Sequence, residues 1–312
     1  MYQHYARPGP EVDCELPGHA VAILSVQGSS PGVHIVDVNT DYQRLWGGSR
    51  EDWLGSEPII VQQEAVNRQI FAQLHDALNP LINDAGSFFE GIGGLEVNRR
   101  FDGSRRYVEW RITAMGVRHN DAITLVLTQR DVTEQMEKEA QLERLATTDM
   151  LTGLVNRAHF DAVLKSEFNR QHRYSRPLSL IMLDLDYFKD INDNYGHDVG
   201  DEVLIELANL LKRNLRKADC CARWGGEEFM LLAPETSLEQ AVRLADKIRG
   251  AIKHTAFPIQ GSVTASFGVV EVHPQESIKS AMKRADDALY LAKDKGRDQV
   301  STGGLFSSAK QA

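Results

Sequence analysis

Cysteine is scarce in this chain. There are three in 312 residues, and Cys220 and Cys221 are adjacent, leaving Cys14 far away. Such spacing builds no disulfide framework, so a reduced, cytoplasmic setting is expected. Long apolar runs are also missing. The run from Ala20 to Val26, interrupted by Ser25, falls far short of the about 20 residues of a membrane span. The N-terminus, MYQHYARPGPEVDCELPG, lacks a charged segment followed by an apolar core, so no signal peptide is expected. Positive charge is in deficit: 35 Lys and Arg against 44 Asp and Glu give a net charge of −9. That balance argues against a nucleic-acid binder, which needs a basic face. It leaves open a small anionic ligand held with a metal ion. Hydrophobic residues make up 42% of the chain, which suits a soluble globular protein of about two domains.

The first half, residues 19–133, reads as one unit behind an extension over 1–18. HAVAILSV and GVHIVDVN alternate like strands around Pro31-Gly32. A mixed polar stretch from Asp41 to about Ala85 reads as short helices and loops. Three further strand-like runs follow, FFEGIGGLEVNRR, RRYVEWRITAMGV and AITLVLTQRD, separated by Asp102-Gly103 and His119-Asn120-Asp121. Three segments resemble a PAS domain: VDVNTDYQRLWGGSREDWLGS, with an Asn after its strand and a Gly at the helix end; DGSRRYVEWRITAM, like the central hairpin; and TQRDVTEQ, like the exit. The resemblance implies an antiparallel sheet with short helices and a sensory role. The ligand is unknown: haem, flavin, a metabolite or none. His75 in IFAQLHDAL is a candidate axial haem ligand, though a lone helical histidine is more often structural. Trp46 and Trp53 are candidates for stacking on a flavin or, more simply, for core packing. The cysteine motif of the light-sensing subtype is absent.

Residues 134–148 read as a helix, with Thr133 capping its start and Glu134 suited to the first turn. Val132, Met136, Leu142 and Leu145 form an imperfect apolar stripe, compatible with a solvated connector or a dimeric signalling helix. From 149 to 302 helices and strands alternate, with a flexible tail over 303–312. Helices are expected over Asn156 to Tyr174, Gly200 to Leu215, Leu238 to Lys253 and Ser277 to Lys295. LSLIMLDLD reads as a strand covered on both faces, CCARW and EEFMLLAP as a hairpin, and VTASFGVVEV as another strand. The whole is an α+β arrangement with helices over a sheet.

The hairpin carries RWGGEEF, residues 223–229. Gly225-Gly226 is a hairpin-turn signal, because tight hairpin turns need positive φ. Two carboxylates, Glu227 and Glu228, then open a strand that otherwise reads as buried. LSLIMLDLD ends in Asp184 and Asp186, which alternation puts on one face. Unpaired buried carboxylates are costly. If the two strands are neighbours, Glu227 approaches Asp184, and the cluster suits Mg²⁺ with substrate phosphates. The plainer alternative is edge residues capping the sheet with surface ion pairs.

GGEEF resembles the signature of GGDEF-domain diguanylate cyclases. DMLTGLVNRAHF, DLDYFKDINDNYGHDVGDEVL and ADDALYLAKDKGRD resemble three further motifs of that family, in the same order. The resemblance covers about residues 147–301. It implies a palm-like nucleotidyl cyclase fold, a homodimer, and a Mg²⁺-dependent reaction (Mn²⁺ as an alternative) joining two GTP into cyclic di-GMP. By resemblance, Asp184, the Leu185 carbonyl and Glu227 are metal ligands. Glu227 also assists deprotonation of the nucleophile, and Glu228 supports it. Lys189, Lys293 and Arg297 contact phosphate. Lys293 and Arg297 are four apart and are expected on one helical face, where a plain basic stripe is the alternative. Asn192 and Asp201 read guanine. Phe188 and His197 belong to the same pocket, His197 alternatively packing its turn. Gly225 and Gly226 let the backbone pass close to phosphates.

Two departures from the family pattern stand out. Asp298 replaces a common Asn after Gly-Arg and is expected to weaken that region slightly. Phe267 replaces a smaller aliphatic residue and reads as core variation. Arg216 and Asp219, in RKAD five residues before the signature, match the family's product-inhibition site for cyclic di-GMP. Pairing with each other is the alternative. Lys247 stands where a partner-side arginine is common. The rival functional readings are an inactive GGDEF domain acting as a GTP or cyclic di-GMP receptor, and an interaction scaffold working through the PAS half.

Overall fold

The computed structural model describes residues 16–27, 33–58, 76, 91–100, 102–119 and 122–304. It forms two compact units, Met1–Ala140 and Gln141–Ala312. His75, Cys14, the tail from 305 and most of the stretch between 59 and 90 lie outside the described residues.

The first unit holds a five-stranded antiparallel sheet of β1 (Ala20–Gln27), β2 (Val33–Val38), β3 (Ile92–Arg99), β4 (Arg105–His119) and β5 (Ala122–Asp131), in the order β2-β1-β5-β4-β3. Alternation sets its inner face: Ile123, Leu125, Leu127 and Gln129 are buried while the residues between them are not. Two short helices, α1 (Thr40–Trp46) and α2 (Arg50–Trp53), follow β2. Asn39 starts α1. Its Oδ1 accepts from the N–H groups of Tyr42 and Val21, both at 2.8 Å, and Gly47 ends the helix at φ +86°. Trp46 and Trp53 are core residues. Trp46 donates to Gln129 Oε1 (2.9 Å), and Trp53 donates to the Gly47 carbonyl (2.8 Å).

The chain leaves this unit through α3 (Thr133–Thr147). Thr133 does not cap it in the expected way. Asp131 accepts from the Thr133 N–H (2.9 Å), while the Thr133 hydroxyl accepts from Tyr107 N in β4 (2.9 Å). The local hydroxyl is thus used to tie the helix start to the sheet. Leu142 and Leu145 are exposed.

The second unit contains α4 (Arg157–Tyr174), β6 (Leu178–Leu185), α5 (Phe188–Tyr195), α6 (His197–Asn214), β7 (Cys220–Arg223), β8 (Glu228–Pro234), α7 (Leu238–His254), β9 (Ala265–Glu271), α8 (Ile278–Asp294) and β10 (Val300–Thr302). The sheet runs β10-β9-β6-β8-β7, antiparallel except for the β9–β10 pair. Every residue of β6 is buried. Ile181, Leu183 and Leu185 enter a core with Val203 and Leu207 of α6 and Ile248 and Ile252 of α7. Leu180 and Met182 enter a second core with Phe160 and Leu164 of α4 and Ala285 and Leu289 of α8. The continuous apolar run therefore reflects cover on both faces. Truncating one such buried leucine to alanine costs about 2–5 kcal/mol. Phe267 is fully buried, and beside it a Cβ on Gly268 would meet the Ala285 carbonyl at 2.1 Å, so α8 lies directly on β9.

Helix α6 begins at His197, earlier than the expected Gly200, because Gly196 turns the chain at φ +88° immediately before it. The hairpin glycines also differ from expectation. Gly225 and Gly226 are not among the positive-φ residues. The loop instead spans Gly225 to Glu227, with the Trp224 and Gly225 N–H groups both donating to the Glu228 carbonyl (2.8 and 3.2 Å). A Cβ at Gly225 would meet Glu228 Oε2 at 2.5 Å, so that position is kept small by a neighbouring carboxylate.

Candidate active site

Strands β6 and β8 are neighbours, and Asp184 stands opposite Glu228 in register. The Leu185 N–H donates to the Glu227 carbonyl at 3.3 Å. Three of the expected metal-site residues, Asp184, Leu185 and Glu227, therefore meet where one strand ends and the hairpin begins. Asp184 is buried at 3% exposure, and Lys293 Nζ lies 2.8 Å from its Oδ2. Burial pushes the Asp184 carboxyl above its ordinary pKa. The Lys293 contact opposes that push, and the Glu228 and Asp186 charges add to it. Glu227 is raised as well, first by burial and then by the Asp184 charge. The two carboxylates thus repel each other in a partly dry setting with one ammonium, in contact with Asp184, a donor set that a hard cation would relieve. Among the described residues no three acidic, His or Cys side chains converge as a ready-made metal cage. Two carboxylates and a carbonyl leave the remaining positions of a Mg²⁺ shell to water and phosphate.

Asp186, although also buried, is committed elsewhere. It accepts from Thr264 Oγ1 (2.8 Å), Ser266 Oγ (2.7 Å) and the Asp298 N–H (3.0 Å). Asp186 is thus tied to β9 and to the backbone at 298, whereas Asp184 is paired with Lys293.

Helix α5 starts two residues after Asp186. Tyr187, its N-cap, is left-handed at φ +58° with no side-chain cap, so the first N–H groups of α5 have no side-chain partner there. Lys189 is exposed on the first turn, whereas the Phe188 ring is buried in the core. Phe188 is therefore left only its backbone for a ligand. Asn192 packs against Gly200 of α6, where an added Cβ would fall 1.9 Å from Asn192 Oδ1. The sequence reading missed this role of Gly200: it makes room for the Asn192 amide beside Asp201. His197 and Asp201 are exposed and one turn apart on α6.

Lys293 and Arg297 do not share a helical face. Helix α8 ends at Asp294, and Gly296, Arg297 and Asp298 follow with φ of +112°, +63° and +42°. The Arg297 guanidinium lies 4.6 Å from the Tyr187 ring centroid. Asp298 is clamped: Arg249 Nη1 is 2.9 Å from its Oδ1 and Lys253 Nζ 2.6 Å from its Oδ2. Burial raises the Asp298 carboxyl, but these two hydrogen bonds outweigh it, and its pKa falls below the ordinary value.

Arg223, which sequence reading passed over, fastens the signature loop. It donates twice to the Gly226 carbonyl (3.1 and 2.8 Å), and its Nη1 lies 3.5 Å from Asp149 of the DMLTGL segment. Val155 joins the same hairpin, exchanging backbone bonds with Cys221 and Arg223. An arginine just before a Gly-Gly loop, together with the Asp-x-x-Thr turn at 149–152, was the available signal.

At the proposed inhibition site, Asp219 does not pair with the Arg216 guanidinium. Its carboxylate accepts from the Arg216 backbone N–H (2.9 Å), and Asp219 N donates back to the Arg216 carbonyl (3.0 Å). The exposed Arg216 guanidinium has no ion-pair partner among the described residues. Lys247 is exposed on α7. Cys220 and Cys221 are free thiols, and burial pushes both up, Cys220 to about 11. They are poor nucleophiles. No helix of the described residues is long and apolar enough to cross a membrane.

Comparison with known proteins bears on both units. Residues 146–299 match the family model "Diguanylate cyclase, GGDEF domain", and residues 21–137 match "PAS fold". Diguanylate cyclase DgcM of Escherichia coli K12 is 41% identical over 204 residues, covering 65% of this chain and 49% of that protein. Diguanylate cyclase DgcP of Pseudomonas aeruginosa is 46% identical over 158 residues, covering 50% and 24%. The chain therefore spans about half or less of the length of these curated relatives. The crystal structure of the coiled coil and GGDEF domain of DgcB from Caulobacter crescentus, in complex with c-di-GMP, is 33% identical. It superposes with a TM-score of 0.53 over 55% of this chain and 93% of that one. With its carboxylates, its two-sided sheet and these matches, the chain belongs to the GGDEF diguanylate cyclase family, preceded by a domain of the PAS fold.

Proposed function

We propose that this chain condenses two GTP into cyclic di-GMP with release of two pyrophosphates, under control of the PAS unit. The observation that carries the reading is the pair Asp184 and Glu227, held together by the β6–β8 register and both raised in pKa by burial and mutual charge. A bound Mg²⁺, or Mn²⁺, would neutralise triphosphate charge and lower the pKa of the attacking hydroxyl. Asp184, the Leu185 carbonyl and Glu227 would hold it.

The chain's own residues do the rest. Lys293 neutralises Asp184, and with a cation held at that carboxylate it would be free to meet phosphate. Lys189, Arg297 and the first N–H groups of α5 at Phe188 gather phosphate oxygens, since a helix N-terminus favours anions. The narrow loop at Gly225 and Gly226 brings backbone to the phosphates. Asn192, set by Gly200, and Asp201 read guanine, because an Asp accepts from guanine N1–H and N2–H, which adenine lacks. His197 closes the same pocket. In each half-reaction a ribose 3′-oxygen bonds to the α-phosphorus of the other GTP, and the bond to pyrophosphate breaks. Glu227, with Glu228 beside it, draws off the hydroxyl proton.

One domain offers one GTP site and the product has two equivalent links, so two copies must meet across a two-fold axis. Tethering through the PAS unit and α3 raises the effective concentration of that encounter, and the exposed Leu142 and Leu145 suit a helix that gains a partner. The unpaired Arg216 guanidinium with the Asp219 turn suits product inhibition by cyclic di-GMP, with phosphate taken bidentately and guanine stacked. A GTP-consuming enzyme of this kind works in the cytoplasm. Purified chain incubated with GTP and Mg²⁺, its products resolved by chromatography, is expected to yield one cyclic di-GMP per two pyrophosphates. Tight nucleotide binding with no cyclic di-GMP, even when product is removed, would leave the receptor reading in its place.

A further inference from the structure

We infer that Asp298 is a positioning residue for GTP binding, acting through Arg249 and Lys253 of α7 to hold Arg297 at the phosphate site. This rests on the reading of Arg297 as a triphosphate contact. The backbone supplies the first observation. After α8 ends, three successive residues, Gly296, Arg297 and Asp298, lie at positive φ. Only glycine adopts that region freely, and Asp tolerates it better than most residues. A two-residue non-glycine stretch of this kind persists only where its surroundings over-determine it.

The surroundings do so at Asp298 through four hydrogen bonds to three residues. Its N–H donates to Asp186 Oδ2 (3.0 Å). Arg249 Nη1 donates to both its carboxylate Oδ1 (2.9 Å) and its carbonyl (3.3 Å). Lys253 Nζ reaches the other carboxylate oxygen (2.6 Å). Arg249 is in turn steadied through its Nε by Asp246, one turn earlier on α7 (2.9 Å). On the next residue, Gln299, the carbonyl accepts from Phe267 N of β9 (2.9 Å) and the side chain donates to the Ala292 carbonyl (2.8 Å).

Arg297 itself is held far more lightly. Its N–H donates to the Ala292 carbonyl (3.1 Å), and its guanidinium only leans on the exposed Tyr187 ring, with Nη1 3.5 Å from the Tyr187 hydroxyl. A long cationic side chain so placed is free to meet an anion, provided that its backbone is fixed. Fixing it falls to the neighbour. An aspartate gives this chain two charged acceptors for two cations of α7, which a neutral Asn would not supply in full. The departure at 298 thus strengthens the loop by matching it to Arg249 and Lys253.

The test is a cycle on the full-length chain with the variants Arg249→Gln/Lys253→Gln, Arg297→Ala and all three together. Both GTP kinetics and calorimetric binding of a non-hydrolysable GTP analogue are measured. The α7 pair is expected to raise KM and the analogue Kd roughly five- to tenfold, with kcat changed less than about twofold. In the Arg297→Ala background it adds nothing further, because positioning has no object there. Asp298→Asn, which keeps tolerance of left-handed backbone and loses the charge, should fall between parent and double variant. Unchanged affinity in the α7 pair or in Asp298→Asn overturns the inference. So does the same loss with and without Arg297. Absence of cyclic di-GMP from every variant, parent included, would count against the cyclase reading alone, since analogue binding still decides the clamp.

Discussion

The two sheets of this chain have the same number of strands and put polar groups inside them in different ways. Among the described residues of the first unit, the buried polar ones are neutral amides and a hydroxyl: Asn98 and Gln129 in the sheet, and Asn39 and Thr133 at helix starts beside it. Asn39 joins β1 to α1 and Gln129 receives Trp46, so these groups build structure. In the second unit the centre of the sheet ends in Asp184 and Asp186, both buried carboxylates. One is satisfied by hydroxyls and an N–H, while the other shares a single lysine with a nearby Glu227. Neutral buried amides need only hydrogen bonds, whereas buried like charges are tolerated where a cation or a reaction uses them. The contrast separates a unit whose buried polar groups build structure from a unit whose buried carboxylates keep their charge, as the proposed metal and phosphate site requires.

The strongest way to break that contrast is Glu227→Gln. Synthesis of cyclic di-GMP is expected to fall by about a hundredfold or more, with GTP binding partly kept, as read by turnover and by calorimetry. The metal-free variant should also melt no lower than the parent, because one of two repelling carboxylates is gone. Near-parental turnover would mean that the wrong carboxylate has been assigned.

Next in size is the dependence on the first unit. A fragment beginning near residue 147 is expected to be mostly monomeric and at least roughly tenfold slower per chain at low concentration, with a rate per chain that climbs as it is concentrated. Equal, concentration-independent rates for fragment and full chain would remove the tether from the account. Gly200→Ala sharpens the pocket side. It should displace Asn192 and raise KM for GTP by about tenfold, while a melting curve shows the fold intact. An unchanged KM would show that Asn192 has room to shift.

A pH series tests the raised carboxylates directly. Asp184 and Glu227 have folded pKa values above their unfolded ones, burial being the largest cause for each. Their contribution to metal-free stability is therefore fully present below the unfolded carboxylate pKa and is lost as pH rises through the folded values. Metal binding needs the charged forms, so the Mg²⁺ concentration for half-maximal rate should rise as pH falls through that raised range. A Mg²⁺ requirement that stays flat until the ordinary carboxylate range contradicts the assignment. The smallest effect is expected from Arg216→Ala: a parental initial rate, with several-fold less sensitivity to added cyclic di-GMP. Identical inhibition curves would make Arg216 a plain surface residue.

Much of the second unit was legible because its signals are local. A continuous apolar run placed β6, and the helices expected from 156, 238 and 277 form there, each behind an Asn or Ser cap. Four ordered motifs named the carboxylates that the strand register then brought together. What was not legible depends on contacts distant in sequence. The φ values of Gly225 and Gly226 follow from the loop's bonds to Glu228. The Asp298 clamp needs α7, which the sequence puts far upstream. The Arg223 link needs Asp149, and the role of Gly200 appears only when α5 and α6 are packed. In the first unit the strands were readable by period alone, yet the buried donors Trp110 Nε1 and Gln129 Nε2, unpartnered among the described residues, carry no sequence mark of any kind.

The central claim is that the carboxylates ending β6 and opening the β8 hairpin hold the cation that makes cyclic di-GMP. The most direct measurement is the Mg²⁺-dependent yield of cyclic di-GMP from GTP by the parent chain, Asp184→Asn and Glu227→Gln side by side, with product removed continuously so that inhibition plays no part. The parent is expected to give cyclic di-GMP with two equivalents of pyrophosphate, and either variant almost none at any Mg²⁺ concentration. Comparable yields from all three chains would contradict it.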